Sequence, residues 1–469
     1  MHRYWVPLAA FLLFSLTSAG GLVLDARIRL EVAQHLITAG HPAAPTLGRV
    51  AWQGTRYEVY GIGQSLLLLP GELLRPVATS LLAERAPRAM EFFYAVLIFP
   101  ALGAAAIAAL IALAKDLGAT KRAAEVYGLL TAAASPFLIY GADSQEVSQI
   151  VLLLALGLRW LLLGKHAAGA LCLWSTTLFR PIHGLDVVAF GVLALYLRPG
   201  SFRPLLLWGT VGGMIAGGWY FAFNAWRFGS PSLDAYAILF RQWGMDPFSY
   251  PALSGLLGPL FSPDKSLLLY APLLAAVPWA FSAAPAAVRG IVVASALALL
   301  ASVLFFSRYA MWAGDHAVGP RFQMHLVPLL LLPIAFLRPF PRPLAALAVA
   351  GALVALAQAS LAPGLEIVQN PNRVEGTVER SPIDPPGRWA KRFVNVGTKL
   401  AGEDLLPSVR QALRRTPSSY ETSLTEWDFY WTRAAKEGRA IGLLAVALAV
   451  LQAAGLISCL ILWKREPDR

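Results

Sequence analysis

Asp25, Glu58, Asp143 and Glu146 are acids standing at the margins of long apolar runs, and Arg180, Lys265 and Arg321 are cations in similar places. A carboxylate at such a border can take a proton from a hydroxyl, the more readily if partial desolvation raises its basicity. Arg offers phosphate a planar fork of donors and Lys a compact charge, so the three cations together would suit a lipid phosphate at headgroup depth. Each residue also has a plainer duty. Asp25 in "LDARIRLEVAQHLITAGHP" would N-cap the helix that starts there, and one acid of "YGADSQEVS" would do the same. Gly61 and Gly63, which follow Glu58, would either let backbone approach a ligand or simply make a turn. Arg180 in "FRPIHG" and Lys265 in "FSPDKSLLLYAP" would snorkel to headgroups. Snorkelling suits Arg321 less, because Gly319-Pro320 turns sharply ahead of it and His325 follows at i+4.

The stretch "MWAGDHAVGPR" adds Asp315 and His316. With Glu58 they would be the ligands of a divalent cation, although adjacent side chains ligate poorly together and no metal spacing recurs. No definite cofactor is legible.

The elements that must position these groups are membrane helices. The 469 residues are 57% hydrophobic and 14% charged, which excludes a soluble multi-domain protein. Apolar runs of about 20 residues predict an all-α polytopic membrane protein with about 12 transmembrane helices, since unalternating runs of this length are helices and not barrel strands. The spans are expected at 4–24, 88–114, 122–141, 149–163, 167–181, 184–197, 205–226, 266–282, 288–307, 322–337, 343–361 and 440–463, with 149–163 and 184–197 short enough to be broken or tilted. The first run could also be a signal peptide with Thr17-Ser18-Ala19 as its cleavage site, but a polytopic chain needs no separate signal. Gly209, Gly213 and Gly217 share one helix face that another helix would approach closely.

Lys and Arg of the short loops fall on one side, among them Lys115, Lys121, Arg122, Lys165, Arg289 and Lys464, so both termini are expected in the cytoplasm. The net charge of +12 partly reflects this topology; basic residues spread over many loops do not make a nucleic-acid surface. Cys172 and Cys459 lie within spans and far apart, which shows no disulfide framework. Three units follow: a transmembrane catalytic domain with outer loops over 1–361, an extracytoplasmic loop or small cap over 362–439, and a last helix with a cytoplasmic tail over 440–469. In the first outer loop Ile28, Val32 and Leu36 recur at i, i+4 and i+8, an amphipathic juxtamembrane helix lying on the outer leaflet.

The chain has no phosphate-binding loop, no H-E-x-x-H and no G-x-S-x-G, so any chemistry needs a substrate that arrives activated. The order of motifs, an acid after the first helix, then "YGIGQSLLLLP", "FRP", "NAWRFGSP", "GPLFSPDKSLLLYAP" and "MWAGDHAVGPR", resembles the GT-C superfamily of polyprenyl-phosphate-sugar glycosyltransferases over most of the first 340 residues. The likeness is to the bacterial family-39-like branch, related to protein O-mannosyltransferases and lipid A aminoarabinose transferases. Two departures, Tyr60-Gly61-Ile62 in place of Tyr-Pro-Pro and Ala26 in place of a second acid, bear on the acceptor.

The resemblance implies a GT-C-like helical bundle in the cytoplasmic (inner) membrane, acting outside or in the periplasm. It would be an inverting transferase moving a sugar from a polyprenyl-phosphate donor to the hydroxyl of an unidentified glycan, lipid or protein acceptor. Asp25 would be the base, Asp143 or Glu146 the second acid, and Arg321 a donor-phosphate ligand. Glu58, Arg180, Lys265 and His316 complete the expected substrate-binding set. The alternative is a secondary transporter or flippase of a lipid-linked or small polar substrate, a class that also uses about twelve helices. Transporters hold their ionisable groups near the midplane, where only Asp186 falls here.

Overall fold

The computed structural model describes residues 4–314, 317–337, 341–369, 388–436 and 439–465. Among the described residues the regular structure is helical apart from one small hairpin, in which Val50–Trp52 pairs antiparallel with Thr55–Tyr57. Among the described residues five helices are long and apolar enough to cross a membrane: Arg75–Asp116, Pro199–Phe228, Ala286–Phe306, Arg342–Ser360 and Ile441–Arg465. Six further apolar helices of 10–17 residues run over Trp5–Thr17, Val147–Leu162, Pro181–Leu197, Ala252–Phe261, Pro272–Ala283 and Arg321–Phe336.

Several expected spans are interrupted, each for a local reason. The run 122–141 divides into Lys121–Ala133 and Phe137–Ala142, because Pro136 draws Ser135 out of the helical region and the Ser135 hydroxyl then accepts from the Phe137 amide. The run 167–181 leaves α-helix at Trp174 and tightens into a 3₁₀ turn over Ser175–Leu178. There the hydroxyls of Ser175, Thr176 and Thr177 donate back to carbonyls one turn earlier and compete with the helical ladder. Pro328 and Pro333 break 322–337 into 3₁₀ and α pieces. The two runs short enough to be broken or tilted, 149–163 and 184–197, are not broken: they hold as the continuous helices Val147–Leu162 and Gly184–Leu197.

The first helix ends at Thr17, the chain crosses a short irregular link, and a second helix starts at Leu24. That helix does not display its apolar stripe to lipid as expected. Ile28 and Val32 are buried against Ala44, so the stripe faces protein. Gly209, Gly213 and Gly217 also differ from the expected helix-on-helix seam: Trp174 packs over Gly213 and donates to the Gly209 carbonyl, while Gly217 faces open space.

One end of the bundle can be read from side-chain contacts. Arg122 stacks on Trp463 and donates to its carbonyl, and Arg159 pairs with Asp116. The Val147–Leu162 helix carries Arg159 near its last turn and Glu146 at its start, which puts Glu146 at the opposite end from Arg159. The described part of the region after 362 is helical, with Leu361, Leu365, Val368, Leu405, Val409 and Leu424 gathered in one buried cluster. Its Tyr430 amide donates to the Ser18 carbonyl and its Trp431 indole to that of Leu16. Gln452 of the final helix donates to Ser15 across 437 positions of chain.

Phe14 anchors the first helix. It is fully buried, meets Phe137 edge-on at 5.9 Å, and leaves so little room that a methyl group on Gly141 would stand 2.7 Å from its ring. Phe14→Ala is expected to remove about 3–5 kcal/mol of stability, measured as denaturant or thermal unfolding in detergent micelles.

Candidate functional site

The irregular link after the first helix decides where Asp25 goes. Val23 occupies the N-cap position with no side-chain cap, and its amide donates to Ser144 Oγ at 3.0 Å. Asp25 therefore does not cap its helix. Its Oδ1 accepts from Arg49 Nη2 and its Oδ2 from Arg321 Nη1, both at 2.9 Å. Arg321 reaches on to Glu146 at 3.3 Å, and Glu146 also takes Arg29 Nη1 at 2.8 Å and Arg180 Nε. Arg29 closes the circuit on Glu58 at 2.9 Å and on Gln64. Five residues named from sequence, Asp25, Glu58, Glu146, Arg180 and Arg321, thus meet in one buried ring of charges.

Local geometry explains how they converge. Asp25 and Arg29 are one helical turn apart on the Leu24–Ala39 helix, so both face inward. Glu146 leads the Val147–Leu162 helix without capping it. Gly61 and Gly63 are indeed needed for a close backbone approach, but to protein: a Cβ on Gly61 would lie 2.0 Å from the Leu178 carbonyl, and the Gly61 amide donates to Phe179. That contact lays the segment carrying Arg180 beside Tyr60, whose ring is covered by Arg29 at 4.4 Å and Arg180 at 5.1 Å.

The remaining expected residues fall elsewhere. Lys265 is buried and donates to the Ala317 carbonyl at 2.6 Å, bracing the turn ahead of Arg321, and it lines neither cavity described below. Asp143 accepts from the Ser144 amide, and among the described residues no cation touches it. Asp315 and His316 lie outside the described residues. Arg29 and Arg49 were not singled out from sequence. The available signal was the i, i+4 spacing of Asp25 and Arg29, which puts an opposite charge on the face of the acid.

The environments separate the four acids. Burial raises the Asp25 carboxyl, but Arg321, Arg49 and Arg29 outweigh it and hold it at about 2. This corrects the expectation that desolvation makes Asp25 more basic. Glu146 is likewise held well below its usual value, its burial overcome by Arg180, Arg29 and Arg321. Burial wins at Glu58, pushed up to about 8 despite Arg29, and at Asp143, pushed up to about 6.

Two cavities adjoin the ring and share Val59, Tyr60 and Tyr236. The smaller, about 20 Å³, is faced by Arg49, Arg180, Arg321 and Phe322 and has room for about one water. The larger, about 240 Å³, is an open and mainly apolar groove between Trp174 and the Pro199–Phe228 helix, floored by Gly213 and Gly217. Arg227 stands at its border and donates to the Glu58 carbonyl at 2.8 Å. Chemically the arrangement offers three guanidiniums for an anion, acids behind them, and a mainly apolar furrow alongside.

Arg29→Ala would remove the one described guanidinium on the Glu58 carboxyl and one of the three on Glu146, and is expected to cost about 1–3 kcal/mol in unfolding experiments. Arg49→Ala, at a side chain 24% exposed, should cost about 1 kcal/mol or less. Because the Glu58 pKa is raised on folding, its contribution to stability is full below about 4.5 and is lost as pH rises through about 8. Glu58→Gln should therefore flatten the fall of the thermal midpoint across that interval.

No family model, no curated protein and no solved structure matches this chain.

Proposed function

We propose that the protein is an inverting membrane glycosyltransferase of GT-C type, taking a sugar from a polyprenyl-phosphate donor on the outer face of the cytoplasmic membrane. The observation that carries this reading is the adjacency of an apolar furrow to a guanidinium-lined cavity with a carboxylate behind it. A lipid-linked phosphate has that same division, an apolar chain ending in a charged group. In this reading the six shorter apolar helices join the five long ones in one bundle with the ring outside, opposite the basic helix ends.

The resting site is closed to its substrate. With both Asp25 oxygens taken by Arg49 and Arg321, and a cavity too small for a phosphate, binding has to proceed by exchange. An arriving phosphate draws the two guanidiniums toward itself, and Asp25 loses the charges that depress it. The carboxylate then becomes basic enough to take the acceptor proton while Arg180 and Arg321 stabilise the departing phosphate. Attack from the face opposite the leaving group inverts the anomeric centre. Glu146 keeps the cations in place through the exchange, and the acceptor is a hydroxyl of a glycan, lipid or protein.

The test is reconstitution with a labelled polyprenyl-phosphate sugar and a panel of acceptors. Donor consumption should need an acceptor and fall about 10²–10⁴-fold in Asp25→Asn, with thermal unfolding confirming that the variant is folded. Arg321→Lys should raise the donor KM more than it lowers kcat. Full turnover by Asp25→Asn would remove the proposed base, and uptake into sealed vesicles without donor breakdown would point to transport.

A further inference from the structure

Behind the cradle, and outside the reading just given, lies a second constellation. His183 ends the 3₁₀ turn Pro181–His183, Asp186 sits in the first turn of the Gly184–Leu197 helix, and His325 belongs to the 3₁₀ segment Arg321–Leu326. All three are at least 96% buried. His183 Nδ1 and His325 Nε2 approach the same oxygen, Asp186 Oδ2, at 2.8 Å and 2.9 Å. The imidazoles stand edge to face with centroids 4.6 Å apart, and one donor atom from each residue falls within 4.8 Å of the others.

We infer that His183, Asp186 and His325 form a binding site for a first-row divalent transition metal, with Zn²⁺ the best chemical fit. The charge balance argues for it. Asp25, Glu58 and Glu146 each contact a guanidinium, whereas the described charged partners of Asp186 are the two imidazoles alone. A carboxylate this deeply buried needs a counter-cation. A protonated imidazole would supply one only by placing positive charge against a second ring, on a segment that also carries Arg180 three residues away. A divalent ion supplies it and uses both ring nitrogens as neutral ligands.

The donor set agrees. Two imidazole nitrogens and a carboxylate oxygen suit Zn²⁺, Co²⁺ or Ni²⁺, while Mg²⁺ and Ca²⁺ favour all-oxygen shells. Ligands about 2.1 Å from a tetrahedral ion are about 3.4 Å apart, so the two imidazole–carboxylate distances of 2.8 and 2.9 Å have to open by roughly half an ångström while the widest donor spacing, within 4.8 Å, closes, through rotations of the three side chains. A metal here would tie the segment of Arg180 to that of Arg321, three and four residues away, and so act as a brace. This inference stands whether or not the protein transfers sugars.

The experiment uses full-length protein without a polyhistidine tag, purified in detergent, stripped with chelator and reloaded with Zn²⁺ or Co²⁺. Elemental analysis should find about one tightly held ion per chain, Co²⁺ should develop the visible bands of a low-coordinate N/O site, and Zn²⁺ should raise the thermal midpoint of the stripped protein. His183→Gln, His325→Gln and Asp186→Asn should each abolish these signals, and His41→Gln should keep them. The inference is overturned if the reloaded wild type holds no ion and its midpoint does not move, or if the three variants bind as the wild type does. Should the variants not yield folded protein, the wild-type measurements decide alone.

Discussion

Glu146 holds the centre of the molecule. Three guanidiniums, those of Arg29, Arg180 and Arg321, converge on one carboxylate in a place with almost no water, and each belongs to a different part of the chain. Charges of this kind cost several kcal/mol each to bury and are tolerated only when every one is partnered. The architecture follows from that demand. The helix that starts beside Glu146, the helix bearing Arg29, the 3₁₀ turn before Arg180 and the segment opening at Arg321 have to end at one level, because none of their charges has another place to go. Apolar packing holds the helices together without direction; the ring fixes how far each one extends.

The ring also explains why the four acids differ. Asp25 and Glu146 lie within reach of several cations and stay ionised, whereas Glu58 shares one guanidinium that Glu146 also holds, and Asp143 touches none among the described residues. Carboxyl groups from distant parts of the chain, close in space, are therefore held far apart in proton affinity, Asp25 down at about 2 and Glu58 up at about 8. In the proposed reaction this spread is what an incoming anion would redistribute.

Much of this was legible in the sequence and some was not, for identifiable reasons. Asp25, Glu58, Glu146, Arg180 and Arg321 stood out because ionisable groups at the borders of apolar runs are rare and conspicuous. Arg29 did not, since in a helix rich in polar residues it reads as one more solvated cation; only the fold turns it inward. Membrane helices were evident from composition, but their lengths were not, because Pro136, Pro328, Pro333 and the hydroxyls of Ser175–Thr177 cut runs that hydropathy joins. Asp186 was conspicuous as an acid within a span, while its pairing with His325, 139 positions away, is a tertiary fact.

The link from Thr17 to Leu24, which aims Asp25, is fastened by residues near the other end of the polypeptide: Tyr430 and Trp431 grip the backbone at Ser18 and Leu16, and Gln452 reaches Ser15. During synthesis the Ser15 and Ser18 hydroxyls of the leading helix can already reach the Val96 and Ala95 carbonyls, but the clasps from Tyr430, Trp431 and Gln452 form only once the trailing helix has been made. A nascent chain stalled before that point carries every ring residue and the Ser144 contact to Val23, yet lacks the last clasps on the backbone leading into the link that aims Asp25.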